Sequence, residues 1–510
     1  MNLIAVNLML PFLTALGCLI FFQNLKIQKI ASFVGLFASL GTSIALLLEI
    51  NQVSVLSHMA GGWPSPFGIA LVVDKLSAPL LVLTPFLALL TFVFRLGVSD
   101  SESESNPYYL PLFQFLIAGI TGALSTGDFF NLYVFFEIFL MASFALLSQN
   151  QSLAATMGTT KYVILNLLGS LIFLTGLGLL YSQTGTLNMA AASKHVLTNT
   201  FNFKGAQDLA IVGLPFLFFA LAFAMKAAVF PLYSWLPASY PLADSATTAL
   251  LAGTLTKVGV YALLRTQHLG LFRTLPFLNT FFLVIGALTM IIGVFGAANQ
   301  SNIARILSVH IISQVGYMIV CLGIGTGKAL TAALLFMAHN MLVKTNLFFV
   351  SGFISRTQGS GDLGLLGSCL KLRPVFSVIF LVSAMSLVGF PPLSGFWAKF
   401  YVFSVLIEGK QIFVLGVGAL TGIFTLYSMV KIWNEAFLKN CPSEKNHPLT
   451  TPELLGMYAP MIIISILVIL SAVLILPLST HLSGIAKYLS DPKIYIENQM
   501  GVFFSPLERR

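Results

Sequence analysis

Charged residues are scarce in this chain. Lysine, arginine, aspartate and glutamate make up 8% of its 510 residues, against roughly a quarter in soluble proteins. Hydrophobic residues make up 57%, and the mean hydropathy is +0.92. So little polar surface cannot keep a 55.2 kDa particle dissolved in water. The sequence therefore predicts an integral membrane protein and argues against a soluble enzyme, a disordered scaffold or a secreted disulfide module.

The motifs of several functional classes are also missing. The four cysteines (Cys18, Cys321, Cys369 and Cys441) show no CxxC spacing, which predicts neither a disulfide framework nor a metal or iron–sulfur site. No GxxxxGK[ST] loop occurs, so the chain contains no ATPase of that type. The net charge is +9 without basic runs, which indicates loop cations that set topology and not a nucleic-acid partner. We expect no cofactor, no metal and no nucleic acid.

Long apolar runs fill most of the chain. A bilayer core requires about 20 apolar residues per helix, and continuous runs of that length indicate helices and not the alternating strands of a barrel. The first run has no preceding positive charge and no small-residue cleavage site, so we interpret it as a retained helix and not a signal peptide. The sequence predicts an all-α membrane protein with about fourteen spans, at 3–22, 29–50, 74–97, 107–127, 129–148, 161–182, 208–231, 246–266, 276–298, 303–325, 329–353, 376–402, 411–438 and 456–478.

The connections between these spans are short, and none is long enough to fold alone. An even number of spans places both termini on one side of the membrane. Loops on the opposite side contain eleven lysines and arginines, against seven on the terminal side before the C-terminal tail adds four. Because cytoplasmic loops are enriched in these residues, we expect both termini to lie outside.

Five ionisable side chains fall inside predicted spans: Glu137, Lys226, Lys257, Lys344 and Lys399. Each costs about 2.5–3.5 kcal/mol at a helix centre, so together they cost roughly 12–18 kcal/mol. Such groups usually mark ion paths or proton relays, and a desolvated lysine can release its proton. Lysines that reach an interface are one alternative. Static ion pairs are another, although one glutamate cannot pair four lysines.

Prolines accompany two of these lysines. Pro231 follows Lys226 by five residues, and Pro391 and Pro392 precede Lys399. A proline removes a helical hydrogen bond, and free backbone groups at membrane depth are tolerated only inside protein or beside water. The pattern predicts broken helices in the seventh and twelfth spans, and its recurrence suggests two related five-helix units. Ordinary kinks are the alternative.

The tenth span carries His310, Ser313, Gln314 and Tyr317 on one helix face, at i, i+3, i+4 and i+7. A hydrogen-bonded seam between helices and a water-linked proton wire both fit this pattern, and a histidine titrates in the right range for the wire.

Two further positions are possible relays. Tyr133 lies one turn before Glu137 and is placed to donate a hydrogen bond to it. His339 and Lys344 are five residues apart, about 140° around the helix, so we expect them to contact different neighbours. His339 has no second ligand at metal-binding spacing.

Four segments resemble the antiporter-like family shared by respiratory complex I and the Mrp antiporters: Thr126–Ser143, Met225–Arg265, Ala304–Met318 and Val388–Phe400. The similarity covers roughly residues 1–480 in order. It implies two inverted five-helix repeats, formed by helices 4–8 and 9–13, with broken helices 7 and 12. The implied units are 1–106 (helices 1–3), 107–266 (first repeat), 276–438 (second repeat) and 456–510 (last helix and tail).

The resemblance also implies roles for individual residues. Glu137 looks like the helix-five acid of the family, which pairs with and tunes the helix-seven lysine, and Lys226 looks like that lysine. Lys257 resembles the connecting lysine of helix eight, and Lys399 resembles the terminal lysine of helix twelve. The positions implied in proton translocation are Glu137, Lys226, Lys257, Lys344 and Lys399, with His310, His339, Gln314 and Tyr133 as possible relays and Pro231, Pro391 and Pro392 at the breaks.

Within the family, the loop Gly61–Pro79 and the segment LYVFFE look most like the D-type group of multisubunit Mrp-type Na⁺/H⁺ antiporters. This implies a secondary-transporter subunit, not an enzyme, which moves protons during exchange for Na⁺ in the plasma membrane of a prokaryote. Its partners would be small membrane subunits and a larger antiporter-like subunit. The alternative is a proton-pumping, non-redox subunit of an NADH:quinone oxidoreductase or membrane-bound hydrogenase. A self-sufficient transporter would require a cation site that the sequence does not indicate.

Overall fold

The computed structural model describes residues 2–98, 106–150, 152–199, 206–441 and 450–504. Helices dominate this part of the chain. They are α1 (Leu3–Ile20), α2 (Leu25–Val53), α3 (Ala78–Val98), α4 (Tyr109–Ser125), α5 (Phe129–Leu147), α6 (Leu153–Thr184), α7 (Met189–Asn199), α8 (Ala206–Lys226), α9 (Trp235–Ser239), α10 (Ser245–His268), α11 (Phe277–Ala298), α12 (Ile303–Ile324), α13 (Gly327–Gln358), α14 (Cys369–Leu372), α15 (Pro374–Val388), α16 (Ser394–Glu408), α17 (Ile412–Ile432), α18 (Thr451–Val473), α19 (Ile475–Ser490) and α20 (Lys493–Phe504).

Eleven of the described helices are long and apolar enough to cross a membrane, and three shorter apolar segments complete the set. The shorter segments are Tyr109–Ser125, Ile211–Lys226 and Pro374–Val388. Each of the fourteen overlaps one predicted span, which confirms an all-α membrane fold with about fourteen membrane helices. The division into two inverted repeats stays a prediction.

Polar caps define where several of these helices begin. Asp128 accepts a hydrogen bond from the backbone nitrogen of Asn131 at the start of α5. Asp244 accepts from the backbone nitrogens of Ala246 and Thr247 at the start of α10. Such caps satisfy backbone donors that have no partner within the helix.

The connection after α2 contains a β-hairpin that the apolar-run pattern does not predict. Strands β1 (Val55–Met59) and β2 (Ala70–Asp74) pair antiparallel, with Val55 opposite Asp74. The predicted start of the third span at residue 74 is therefore wrong. Asp74 ends β2, and α3 begins at Ala78.

Both predicted helix breaks are present. The first lies between the end of α8 at Lys226 and the start of α9, and the second lies between α15 and α16. Neighbouring backbone fits tightly against each break. A Cβ atom on Gly259 of α10 would lie 2.7 Å from the nitrogen of Ala227, and one on Gly395 would overlap the carbonyl oxygen of Ser386. Only glycine permits backbones to approach so closely.

The most polar spans form the centre of the molecule. In α10 and α12 every residue of an apolar 18-residue segment is buried, and in α13 83% of such a segment is buried. In α1, α2 and α18 the buried share is only 33%. Polar groups on α10, α12 and α13 therefore face protein, while the peripheral helices have broad exposed apolar faces. After the last span, α19 and α20 return to pack against α13, α7 and the hairpin.

Candidate functional site

Lys226 is the last residue of α8 and is buried beside the first helix break. Its Nζ donates a hydrogen bond to Ser170 Oγ on α6 (3.1 Å) and lies 5.1 Å from the centre of the Phe136 ring. Glu137, the next residue on α5, interacts with it electrostatically. The two form no ion pair in the described part of the chain. The ammonium is therefore near a carboxylate but is solvated by a hydroxyl and an aromatic ring.

Glu137 is half-buried, and its Oε1 has no hydrogen-bond partner among the described protein atoms. The expected hydrogen bond from Tyr133 is not formed between these two described residues. The Tyr133 ring instead contacts the rings of Phe130 and Phe173, each with centres 6.1 Å away.

Lys257 and Lys344 are buried on α10 and α13. Lys257 Nζ donates to the backbone carbonyl of Ala252. Lys344 Nζ donates to the carbonyl of Leu307 on α12 (3.3 Å). The two lysines also interact electrostatically. An ammonium has three donors, so a single carbonyl leaves each cation poorly solvated.

Lys399 lies on α16, just after the second break, and only 6% of it is exposed. This burial excludes a side chain that reaches the membrane interface. Its Nζ donates to the carbonyl of Val388 (2.7 Å) and lies 5.2 Å from the centre of the Tyr317 ring. Val388 is the last residue of α15, and its carbonyl is free because the chain breaks there, before Pro391. The backbone carbonyl that the helix break leaves free therefore accepts the hydrogen bond of the lysine.

His339 connects α13 to the same break. Its Nδ1 lies 2.9 Å from Ser394 Oγ, which lies 3.1 Å from Ser386 Oγ. Lys344, by contrast, contacts α12. The two α13 side chains therefore have different neighbours, as their angular separation predicts.

The polar seam on α12 is fully buried. Ser313 Oγ lies 3.4 Å from both His310 Nδ1 and Gln314 Nε2, which links the three side chains. One turn further on, Tyr317 donates to the carbonyl of Gly418 on α17 (2.5 Å). Its hydroxyl thus points to another helix, and its ring faces Lys399.

Electrostatic interactions connect these groups across the centre of the molecule. Both His310 and His339 interact with Lys344 and with Lys399. No lysine of the series forms an ion pair with a described carboxylate. The arrangement suits proton transfer, because it contains titratable groups whose charges influence one another and whose lysines have no ion-pair partner among the described residues. We call this group the lysine series, and it comprises Glu137, Lys226, Lys257, Lys344, His310, His339 and Lys399.

A second group of buried charges, which the sequence does not predict, lies at the end of α10. Arg265 and Asp74 form a fully buried ion pair with N–O distances of 2.5 and 2.8 Å. Arg265 Nη2 also donates to the Tyr261 hydroxyl (3.1 Å). Burial alone would raise the pKa of the Asp74 carboxyl, but the Arg265 guanidinium holds that pKa well below its usual range. The pair therefore stays ionised.

The C-terminal helices cover this ion pair. Tyr488 on α19 donates to Asp74 Oδ2 (2.6 Å), and the Tyr495 ring on α20 has its centre 4.9 Å from Arg265 Cζ. His268 Nδ1 lies 3.2 Å from the carbonyl of Leu489. Helices α19 and α20 are thus part of the folded unit, and we call Asp74, Arg265, Tyr261, Tyr488 and Tyr495 the tail cluster.

One feature of the sequence is compatible with this pair, although charges at span ends are too ordinary to predict it. Asp74 lies at the start of the third predicted span and Arg265 at the end of the eighth. Because successive spans cross the membrane in opposite directions, Asp74 and Arg265 are both predicted on the side of the membrane that carries the termini. A negative and a positive charge are therefore expected at the same depth. Ser170 and Asn340, two neutral groups of the central region, gave no comparable signal.

The family described as NADH:quinone oxidoreductase/Mrp antiporter matches residues 126–425, a segment that contains every residue of the lysine series. Two curated relatives are named as the D-type component of an Na⁺/H⁺ antiporter. The relative from Alkalihalophilus pseudofirmus is 36% identical over 98% of this chain and 99% of its own length. The relative from Bacillus subtilis is 32% identical over 97% of this chain and 99% of its own length.

Solved structures show the same fold. A chain in the structure of the Mrp complex from Dietzia sp. DQ12-45-1b has a TM-score of 0.88 at 29% identity, over 98% of this chain and 100% of that chain. A chain of the membrane-bound sulfane sulfur reductase, an archaeal respiratory membrane complex, has a TM-score of 0.87 over 97% of this chain and 99% of that chain. Its identity is 24%, so that likeness is one of fold alone.

Proposed function

This chain belongs to the NADH:quinone oxidoreductase/Mrp antiporter family, and on that premise we propose that it is the proton-translocating subunit of a multisubunit Na⁺/H⁺ antiporter. The names of full-length relatives, which are antiporter components of the D type, support this branch of the family. The observation that carries the proposal is the series of buried lysines with no carboxylate partner among the described residues. A buried cation without a fixed counter-ion is suited to release and regain a proton.

In the proposed mechanism Glu137 controls Lys226. When the carboxylate is close, it favours the charged lysine, and when the two separate, the ammonium releases its proton toward Lys257. Charge on one lysine disfavours charge on the next, so protons advance through Lys257, Lys344 and Lys399 as neighbouring sites load and empty. The proton-motive force drives this movement.

The sodium ion requires a different kind of site. Na⁺ prefers several clustered oxygens, and one half-buried acid such as Glu137 is a poor site by itself. We therefore assign the proton path to this chain and Na⁺ binding to another subunit of the complex. In this assignment the chain is a transporter subunit and not an enzyme.

We place the complex in the plasma membrane of a prokaryote, with both termini of this chain outside. Small membrane subunits and a larger antiporter-like subunit are the proposed partners, and the relatives named as subunits support a multisubunit assembly. Pull-down in mild detergent with mass spectrometry tests this composition. Iron–sulfur or flavin subunits among the partners would instead assign the lysine series to redox-driven pumping.

The transport assignment is tested with Glu137→Gln in the assembled complex. Everted membrane vesicles are energised, and the collapse of the pH gradient on addition of Na⁺ is followed by fluorescence. We expect the initial rate to fall by about 10²-fold, the usual contribution of a positioned acid–base group. The isosteric amide keeps the volume of the side chain but cannot carry the charge that tunes Lys226.

Glu408→Gln is the matched control, because Glu408 is exposed and pairs with Lys328 at the surface. Its rate should equal that of the unmodified complex. Full activity of Glu137→Gln at normal abundance would refute the assigned mechanism.

A further inference from the structure

Asn340 is a fully buried amide on α13 that neither the family resemblance nor the apolar pattern marks. Neither its Nδ2 nor its Oδ1 has a hydrogen-bond partner among the described protein atoms. A side-chain amide offers two donors and two acceptor lone pairs. Buried polar groups are almost always hydrogen-bonded, to protein or to ordered water.

The contacts on either side of Asn340 fix its position. One turn before it, the Phe336 ring lies 5.1 Å from the Tyr317 ring of α12. One turn after it, Lys344 Nζ contacts the carbonyl of Leu307 on α12. Residues four apart lie on one helix face. Asn340 therefore belongs to the face that packs on α12, midway between these contacts.

The antiparallel pairing of α12 and α13 places Asn340 level with residues 310–314. Two further buried atoms at this level have no partner among the described protein atoms: His310 Nε2 and Gln314 Oε1. His310 interacts electrostatically with both Lys344 and Lys399. The two atoms of the Asn340 amide, His310 Nε2 and Gln314 Oε1 are thus four polar atoms without a described partner at one level of the helix pair. This is also the level of His310, the histidine that both Lys344 and Lys399 influence.

On the basis of the function proposed above, we propose that Asn340, with His310 and Gln314, binds water that connects Lys344 to Lys399. A short chain of water molecules can donate to Gln314 Oε1 and Asn340 Oδ1, accept from Asn340 Nδ2 and hydrogen-bond His310 Nε2, which satisfies all four atoms that lack partners. In the transfer step, the Lys344 ammonium gives one proton to the first water of this chain, each water passes one of its own protons to the next, and the last water gives one to the neutral Lys399 amine. Every water is regenerated, and one proton has moved. Asn340 is a positioning residue in this step.

Asn346 is the matched control on the same helix. It is also fully buried, but its Nδ2 donates to Ser383 Oγ (2.8 Å) and to Ser465 Oγ (3.0 Å). Its Oδ1 also lacks a partner among the described protein atoms, but its amide nitrogen joins α13 to α15 and α18, so we expect its role to be structural. A leucine at position 346 should reduce the amount of assembled complex while the transport rate per complex stays the same.

The experiment compares Asn340→Leu, Asn340→Ser, Asn346→Leu and Lys344→Met in the whole complex, with the Na⁺-dependent rate normalised to assembled complex. Asn340→Leu keeps the branching and the number of heavy atoms but has no polar atoms, and we expect its rate to fall by about 10²-fold, as for other small displacements of reacting groups. Asn340→Ser leaves a hydroxyl and room for water, so it should restore the rate to within about threefold. A purely structural role for Asn340 would give no such rescue at equal abundance.

Cryo-electron microscopy of the unmodified complex gives the direct readout, and we expect water density within hydrogen-bond distance of the Asn340 amide. Full activity of Asn340→Leu beside an inactive Lys344→Met would overturn the water site and leave the proposed function intact. An active Lys344→Met would count against the proton path itself. A well-resolved map without water at Asn340 would also overturn the inference.

Discussion

Two buried cations on α10, eight residues and about 12 Å apart along the helix, have opposite surroundings. Lys257 donates to one backbone carbonyl, whereas Arg265 has a bidentate carboxylate, a tyrosine hydroxyl and an aromatic face. Arginine cannot lose its proton in a protein, and a buried lysine can. In the proposed mechanism, one helix therefore holds a fixed charge at its end and a mobile charge near its middle.

The tail cluster and the lysine series therefore differ in what the removal of a charge does. In the tail cluster each ion has a partner that would be left uncompensated. Lys257, by contrast, has no carboxylate partner among the described residues, so its removal leaves no buried charge uncompensated. Substitutions in the two regions should consequently separate loss of folding from loss of transport.

The largest effect on folding is expected for Asp74→Asn. Loss of the carboxylate leaves the fully buried Arg265 unpaired, which costs about 3–5 kcal/mol. We expect little assembled complex after extraction and a lowered thermal midpoint in size-exclusion analysis. Asp244→Asn is the control, since asparagine still caps α10 and the Arg95–Asp244 pair is partly exposed, worth about 0–1 kcal/mol.

The double substitution Asp74→Leu with Arg265→Met sharpens this test. It removes both charges, and an apolar pair of similar volume is often as stable as the ion pair. Recovery of assembly in the double variant would show that the penalty comes from the stranded charge. A stable Asp74→Asn variant would contradict the idea that the tail cluster is a fixed charge pair.

Tyr488→Phe should have an intermediate effect. It removes the hydroxyl that donates to Asp74 but keeps the ring, so it loses one hydrogen bond to a charged group, worth about 1.5–3 kcal/mol. Because Tyr488 lies on α19, the thermal midpoint of the complex reports whether the tail stabilises the ion pair. Tyr427→Phe, at an exposed site on α17, should leave the midpoint unchanged. Equal midpoints for both variants would mean that the tail contributes nothing to the cluster.

The contrast also explains what the sequence could predict. Spans and helix breaks follow from apolar length and proline chemistry, both of which are local. The lysines stood out because a charge within an apolar run is costly wherever it lies. The Asp74–Arg265 pair did not, because each charge lies at a span end, where charges are ordinary. Only the hairpin and α10 together reveal that both are buried.

Neutral partners were harder still to predict from the sequence. Ser170 and Asn340 are uncharged and occur in runs where small or polar residues are unremarkable. Their importance depends on which helix packs opposite, and that depends on long-range contacts. The free carbonyl of Val388 was predictable from the nearby prolines, but its acceptance of the Lys399 ammonium required the geometry of the break.

The smallest effect on folding is expected for Lys257→Met, although its effect on transport should be large. Methionine fills a similar volume and leaves no charge unpaired, so the free energy of unfolding should fall by no more than about 1 kcal/mol. The thermal midpoint should therefore change little. The Na⁺-dependent rate should fall by about 10²-fold or more, because the series loses a proton site. Lys328→Met, at an exposed surface pair, controls for the substitution and should retain transport.

Lys257→Arg then separates charge from proton exchange at the same position. Arginine keeps the positive charge of the site but cannot release its proton, so transport should be lost even though the electrostatic field of the series is maintained. Active transport by Lys257→Arg would mean that the position needs only a cation, and Lys257 would then resemble Arg265. Destabilisation of Lys257→Met to the level of Asp74→Asn would lead to the same conclusion, because it would show that α10 holds two structural cations and not one fixed and one mobile charge.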